Sequence, residues 1–177
     1  GLIIALMRNY KVALNYPYKD REFYKGNTLK GKILGIVGYG RIGKQVTRIA
    51  EVFGMNTVIN EKDFHRKSLE ALLAISDIVS VHIPLSGNEG FFTKEMFQQM
   101  KPTSYFINTS RDKVVEKGAL IFALKHNIIK GAGIDFIDDE ELVEYSKTHY
   151  NLIMTNHIGG ATWEDMERTG TFITQQV

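Results

Sequence analysis

The 177 residues, 44% of them apolar and 24% charged, have the make-up of an ordinary globular domain large enough to bury a core. A net charge of +2 from scattered Lys and Arg leaves no basic footprint for nucleic acid, and the lack of cysteine excludes disulfides and thiolate chemistry and fits a reducing, cytoplasmic setting. No apolar run approaches the ~18 residues that cross a bilayer, and the apolar start has neither a basic region before it nor a small-residue cleavage site after it, so no membrane partner and no signal peptide are expected.

In chain order, Leu2 to Tyr16 reads as one helix whose first two turns are apolar on every side, a pattern that asks for burial all round. Because the sequence starts at Gly1 inside that segment, the chain reads as a fragment of a longer polypeptide. A polar, tyrosine-rich stretch runs from Asn15 to Gly26. Lys32 to Val37 is a short apolar run ending in glycines and reads as a buried strand. Ile42, Val46, Ile49, Ala50 and Phe53 then recur at the helical period, and Thr57 to Asn60 is a second strand. Ser68 is a plausible cap for a helix to Ile75, with Leu69, Leu72 and Leu73 facing inward.

Further apolar runs follow at Ile78 to Val81, Tyr105 to Asn108, Gly131 to Ile134 and Leu152 to Thr155, with helices expected over Lys94 to Gln99 and Glu116 to His126. A polar segment starting at Trp163 ends the chain. Continuous apolar strands alternating with helices predict an α/β fold, a doubly wound parallel sheet with helices on both faces. The expected divisions are an N-terminal helix and arm over 1–28, the sheet domain over 29–160, and a closing helical segment over 161–177.

Gly38-Tyr39-Gly40-Arg41-Ile42-Gly43 lies between the first strand and the helix after it, the place where a Rossmann-type fold holds a dinucleotide. Gly38 permits the tight turn, Gly40 lets a pyrophosphate approach the backbone, and Gly43 lets helix and strand pack closely. The free amides around Arg41 and Ile42 then face the phosphates, aided by the helix dipole. Glu61, at the end of the second strand, is the expected acceptor for the ribose hydroxyls; its charge would repel a 2′-phosphate, which favours NAD over NADP. Replacing Glu61 with Ala is accordingly expected to weaken NAD more than NADP.

With this motif placed, the sequence resembles the D-isomer-specific 2-hydroxyacid dehydrogenases over nearly its whole length. The resemblance is carried by Val79-Ser80-Val81-His82-Ile83-Pro84-Leu85, Ile107-Asn108-Thr109-Ser110-Arg111, Gly131-Ala132-Gly133-Ile134-Asp135 and Asn156-His157-Ile158-Gly159-Gly160. It implies Arg111, Glu140 and His157 as the catalytic Arg, Glu and His. Glu140 keeps the family's spacing from Asp135, although Glu141 stands where a proline usually follows. It also implies that Asp135 holds the nicotinamide amide, that Thr109 and Pro84 line the same pocket, and that His82, Gly159 and Gly160 lie on the cofactor side. A separate substrate domain would come from the two ends of the polypeptide and a two-fold dimer from the segment before the first strand, here Leu2 to Tyr24 with Tyr10, Tyr16, Tyr18 and Tyr24.

The chemistry suits these residue types. A guanidinium forks onto a carboxylate and polarises a neighbouring carbonyl, and a histidine near its titration range donates a proton as the carbonyl is reduced. A carboxylate beside it favours the imidazolium. The expected function is hydride transfer between NAD(H) and a small D-2-hydroxy acid or 2-oxo acid. The competing expectations are an NAD-sensing regulator like the corepressors of this superfamily, and a different Rossmann enzyme, against which the Arg-Glu-His set argues. No metal is expected, since the His and acidic residues lack ligand spacing.

Overall fold

The apolar runs pair into a single parallel sheet in the computed structural model, which describes residues 1–16, 20–60 and 68–167. The strands are β1 (Ile33–Val37), β2 (Asn56–Asn60), β3 (Ile78–Val81), β4 (Tyr105–Asn108), β5 (Gly131–Ile134) and β6 (Leu152–Met154). Their order is β2-β1-β3-β4-β5-β6, with Leu34 opposite both Thr57 and Ile78, and Tyr105 opposite both Ile78 and Gly131. Every residue of β3, β4 and β5 is buried, as strands covered on both faces require.

Alternation along the strands divides the core in two. Leu34, Ile36, Ile78, Tyr105 and Ile107 face α1 (Leu2–Met7) and α3 (Arg41–Val52). Val79, Val81 and Phe106 face the other way, toward α4 (Leu69–Ile75), α5 (Lys94–Gln98) and α6 (Ala119–Lys125). There Phe92, Phe97 and Phe106 form a three-ring cluster with centroids 4.7–4.9 Å apart. Ser68 caps α4 as its sequence suggested, its Oγ accepting from the Ala71 amide, and Leu72 and Leu73 are fully buried.

Two elements depart from expectation. The N-terminal helix is not continuous to Tyr16: it breaks into α1 and α2 (Tyr10–Asn15) at Asn9, which takes the left-handed conformation with φ 53°. The later arm drives the break. The Asn27 amide donates to the Met7 carbonyl at 2.6 Å, and Asn9 Nδ2 donates to the Lys25 carbonyl at 2.7 Å, so helical partners are replaced by non-local ones. Nor is α1 buried all round: Leu6 and Met7 are inside, while Leu2 to Ala5 are half-buried.

The second departure is α7 (Glu140–Thr148), which has no counterpart among the helices expected from apolar spacing. Few apolar residues mark it, Leu142 and Tyr145 being the buried ones. Its signal is polar. Asp139 caps it by accepting from the Glu141 and Leu142 amides, and Glu140 and Glu141 sit in the first turn where the helix dipole favours acids. At the other end Lys11 Nζ donates to the carbonyls of Ser146, His149 and Leu152, which ties α2 to α7 and β6.

Candidate functional site

Strand succession reverses between β1 and β3, and in open α/β sheets the crevice beyond the carboxyl ends of the strands at that point is where ligands bind. A cavity of about 480 Å³ opens there. Its walls are Gly40, Arg41 and Ile42 after β1, His82 to Leu85 after β3, and Thr109 to Arg111 after β4. A second cavity of about 540 Å³ shares His82 and Thr109 and extends past Ser80, Asp135, Thr155 and Gly159 beneath α1 and α3.

The three motif glycines answer to different constraints. Gly38 has φ +91°, and a Cβ there would lie 2.7 Å from the His82 carbonyl oxygen. A Cβ on Gly43 would collide with the Gly38 carbonyl, so helix and loop meet only because Gly43 has no side chain. Gly40 is different: a Cβ there would meet nothing within 4 Å. The protein's own packing makes no use of that bare position, whereas a dinucleotide pyrophosphate would. Gly40 is also the N-cap of α3 and the helix has no side-chain cap, so its first-turn amides are left for an anion. These residues fit NAD.

His82, half-buried behind the loop, shares a 2.9 Å hydrogen bond with Ser80 Oγ, and burial pushes its pKa down to about 4. The ring is neutral across the physiological range.

Beyond β4 the chain is held by a side chain that motif matching did not single out. Asn108 is fully buried. Its Oδ1 accepts from Ser110 N (2.9 Å) and Ser110 Oγ (2.7 Å), and its Nδ2 donates to the Arg111 carbonyl (2.9 Å). Arg111 itself is exposed at the crevice, with Nη1 donating to the Ser110 carbonyl at 2.8 Å. An Asn whose oxygen takes the amide two residues on is an Asx turn, and Asn108-Thr109-Ser110 was its readable signal.

Asp135, at the end of β5, faces the loop after β6. Oδ1 accepts from Thr155 Oγ1 (2.6 Å) and the Ile158 amide (2.9 Å), and Oδ2 accepts from the Gly159 amide (2.8 Å). Burial raises this carboxyl's pKa, but the three hydrogen bonds and the nearby His157 imidazole outweigh it and hold the group below the usual range. A Cβ on Gly159 would stand 2.9 Å from Oδ2, which explains the glycine. His157, flanked by two residues bound in this way, is exposed and held at φ 56°. Thr155, whose hydroxyl donates to Asp135, carried no motif signal.

The expected residues are only partly assembled. Gly40, Arg41, Ile42, His82, Pro84, Thr109 and Arg111 share one crevice, and Asp135 and Gly159 adjoin it. Gly160 is exposed past the loop. Glu140 is exposed at the start of α7, in a separate depression with Asp112, Phe136 and Asp138. Among the described residues it makes no hydrogen bond or ion pair with His157; the carboxylate that engages the histidine loop is Asp135. Glu61 and Tyr18 lie outside the described residues.

Comparison with known proteins agrees with this geometry. The family model described as "D-isomer specific 2-hydroxyacid dehydrogenase, NAD binding domain" matches residues 1–159. The chain is 34% identical to D-3-phosphoglycerate dehydrogenase of Haemophilus influenzae, over 96% of this chain and 46% of that protein. It is 35% identical to glyoxylate reductase of Thermococcus litoralis, over 87% of this chain and 50% of that one. Among solved structures it is similar to D-lactate dehydrogenase of Aquifex aeolicus complexed with NAD and lactic acid, with TM-score 0.84 and 27% identity over 94% of this chain and 60% of that one. The chain thus spans about half the length of the curated relatives it matches. Fold, glycine crevice, Arg and His loops and the match over residues 1–159 agree: the chain belongs to the NAD-binding domain family of the D-isomer-specific 2-hydroxyacid dehydrogenases.

Proposed function

We propose that this chain is the NAD-binding half of an oxidoreductase that interconverts a small D-2-hydroxy acid and its 2-oxo acid. The observation that carries the reading is the meeting, at one end of the sheet, of an uncapped glycine crevice with the Arg111 loop and the Asp135-held His157 loop. NAD, when bound, accepts or supplies the hydride. Gly38, Gly40 and Gly43 leave room for the pyrophosphate and the first-turn amides of α3 hold it. Glu61 takes the adenosine ribose, and His82, Pro84, Thr109, Gly159 and Gly160 border the nicotinamide side.

Arg111 holds the substrate carboxylate with its forked donors and polarises the adjacent carbonyl. His157 gives its proton to the carbonyl oxygen as reduction proceeds and takes it back in oxidation. Asp135 keeps the histidine loop in place, and its remaining acceptor capacity serves the nicotinamide amide. Glu140 enters the set on the family's spacing from Asp135 alone, five residues on; the carboxylate that stands at the histidine loop, and favours the imidazolium from there, is Asp135. Substrate-specific contacts belong to a separate substrate domain, so these 177 residues alone bind NAD weakly and do not turn over substrate. The setting is the cytoplasm, which suits a chain without cysteine; among the described residues no helix is long and apolar enough to cross a membrane.

A homodimer through the N-terminal arm is part of the same reading. Its support is the apolar surface that Tyr10, Leu14, Tyr16 and Phe23 expose. Light scattering should return a dimer, and a clean monomer counts against it. The enzymatic reading is tested by offering the full-length protein a panel of 2-oxo acids with NADH; failure to oxidise NADH with every one of them sinks it.

A further inference from the structure

Asn108 is the one buried polar side chain at the carboxyl edge of β4, and all of its described contacts are internal. Both Oδ1 bonds go to Ser110 and the Nδ2 bond goes to the Arg111 carbonyl, while its own carbonyl accepts from the Asp135 amide at 3.1 Å. It therefore spends its polar groups on the chain that carries Arg111 and on the strand that carries Asp135. Thr109, between the pinned residues, is exposed at the crevice. Arg111 has little else to hold it among the described residues: its backbone is extended (φ −142°, ψ 148°), its guanidinium donates to the preceding carbonyl, and its own carbonyl otherwise accepts only a long 3.3 Å bond from the Val114 amide.

We propose that Asn108 is a positioning residue: by clamping Ser110 and the Arg111 carbonyl it sets where the Arg111 guanidinium meets the substrate carboxylate. The proposal rests on the reading of Arg111 as the carboxylate anchor. A long, exposed arginine has many rotamers, and fixing the backbone from which it springs removes part of that freedom before substrate arrives. The clamp is fully internal, so Asn108 itself touches neither cofactor nor substrate. The same residue hydrogen-bonds through its backbone to Asp135, whose carboxylate holds the loop of His157, so the two catalytic loops share one buried joint.

The test compares a 2-oxo acid with its 2-oxo amide, which lacks the charge Arg111 recognises, in the full-length protein. Arg111→Ala should shrink the acid-over-amide ratio in kcat/KM. Asn108→Ala should shrink it as well, by roughly 10- to 100-fold, as misplacement of an anchor costs. NADH affinity should stay within about twofold, and the double variant should be no worse than Arg111→Ala alone, because both act through one contact. Ser110→Ala, which removes one leg of the clamp and leaves the Arg111 leg, should show the same selectivity loss in milder form and stands in if Asn108→Ala does not fold. Equal losses for acid and amide, or an unchanged ratio in both clamp variants, overturn the proposal while leaving the Arg111 reading intact. An unchanged ratio in Arg111→Ala overturns the Arg111 reading and the clamp's role with it.

Discussion

The two sides of the crevice are built on opposite plans. On the phosphate side the site is made by omission: Gly38, Gly40 and Gly43 remove side chains, and α3 begins without a cap. On the side proposed for the chemistry it is made by crosslinks, with Asn108 pinning the Arg111 loop and Asp135, aided by Thr155, pinning the His157 loop. Bare backbone suits the first task because a pyrophosphate is recognised by amides and a dipole. The second task needs side chains aimed in space, and long-range hydrogen bonds supply that order. His82 stands at the seam, lining both cavities.

The largest expected effect comes from removing the proposed proton donor while keeping its backbone. His157→Asn retains a residue that tolerates the left-handed conformation and should lower turnover by roughly 10²–10⁴-fold. NADH affinity measured by fluorescence should hardly change; a parallel loss of affinity would erase the division between the two sides.

At the seam, the His82 pKa near 4, against an ordinary 6.5, sets a pH dependence. The unfolded chain binds the proton first, so stability is full above pH 6.5 and declines as pH falls toward 4, by up to about 3 kcal/mol. His82→Gln should flatten this part of a denaturation series taken between those limits, and equal slopes in both proteins would refute the assignment.

Gly40→Val probes the side built by omission. Because a Cβ there meets nothing in the protein, the melting temperature should hold within about 2 °C while NADH affinity drops by about tenfold or more. Gly38→Val, at a positive φ and against the His82 carbonyl, should lose both. If Gly40→Val bound NADH normally, the open space would have no ligand role.

The smallest effect belongs to one crosslink. Thr155→Val keeps the shape but removes the 2.6 Å bond to Asp135, and should destabilise by about 1 kcal/mol. Turnover should fall with it while NADH affinity stays near wild type. Unchanged turnover would show that the Ile158 and Gly159 amides suffice to hold the loop.

The six strands to within a residue, the glycine turn and the Ser68 cap were legible in the residues alone, because these follow from local causes, and the family was legible in the order of its motifs. A strand covered on both faces must be apolar throughout, and a chain that turns tightly beneath a pyrophosphate must lack side chains at fixed offsets. The break at Asn9, the existence of α7 and the clamps around Arg111 and His157 emerge only when distant segments meet. Asn9 yields to Lys25 and Asn27, and Asp135 finds the Ile158 and Gly159 amides 23 and 24 residues away. Glu140 shows the same limit: its spacing from Asp135 marked it, but its place in the exposed first turn of α7, with no described bond to His157, is visible only in the fold. Hydrogen bonds between distant segments leave no periodicity in the chain, so the partners of a buried amide or carboxylate appear only once the strands are laid side by side.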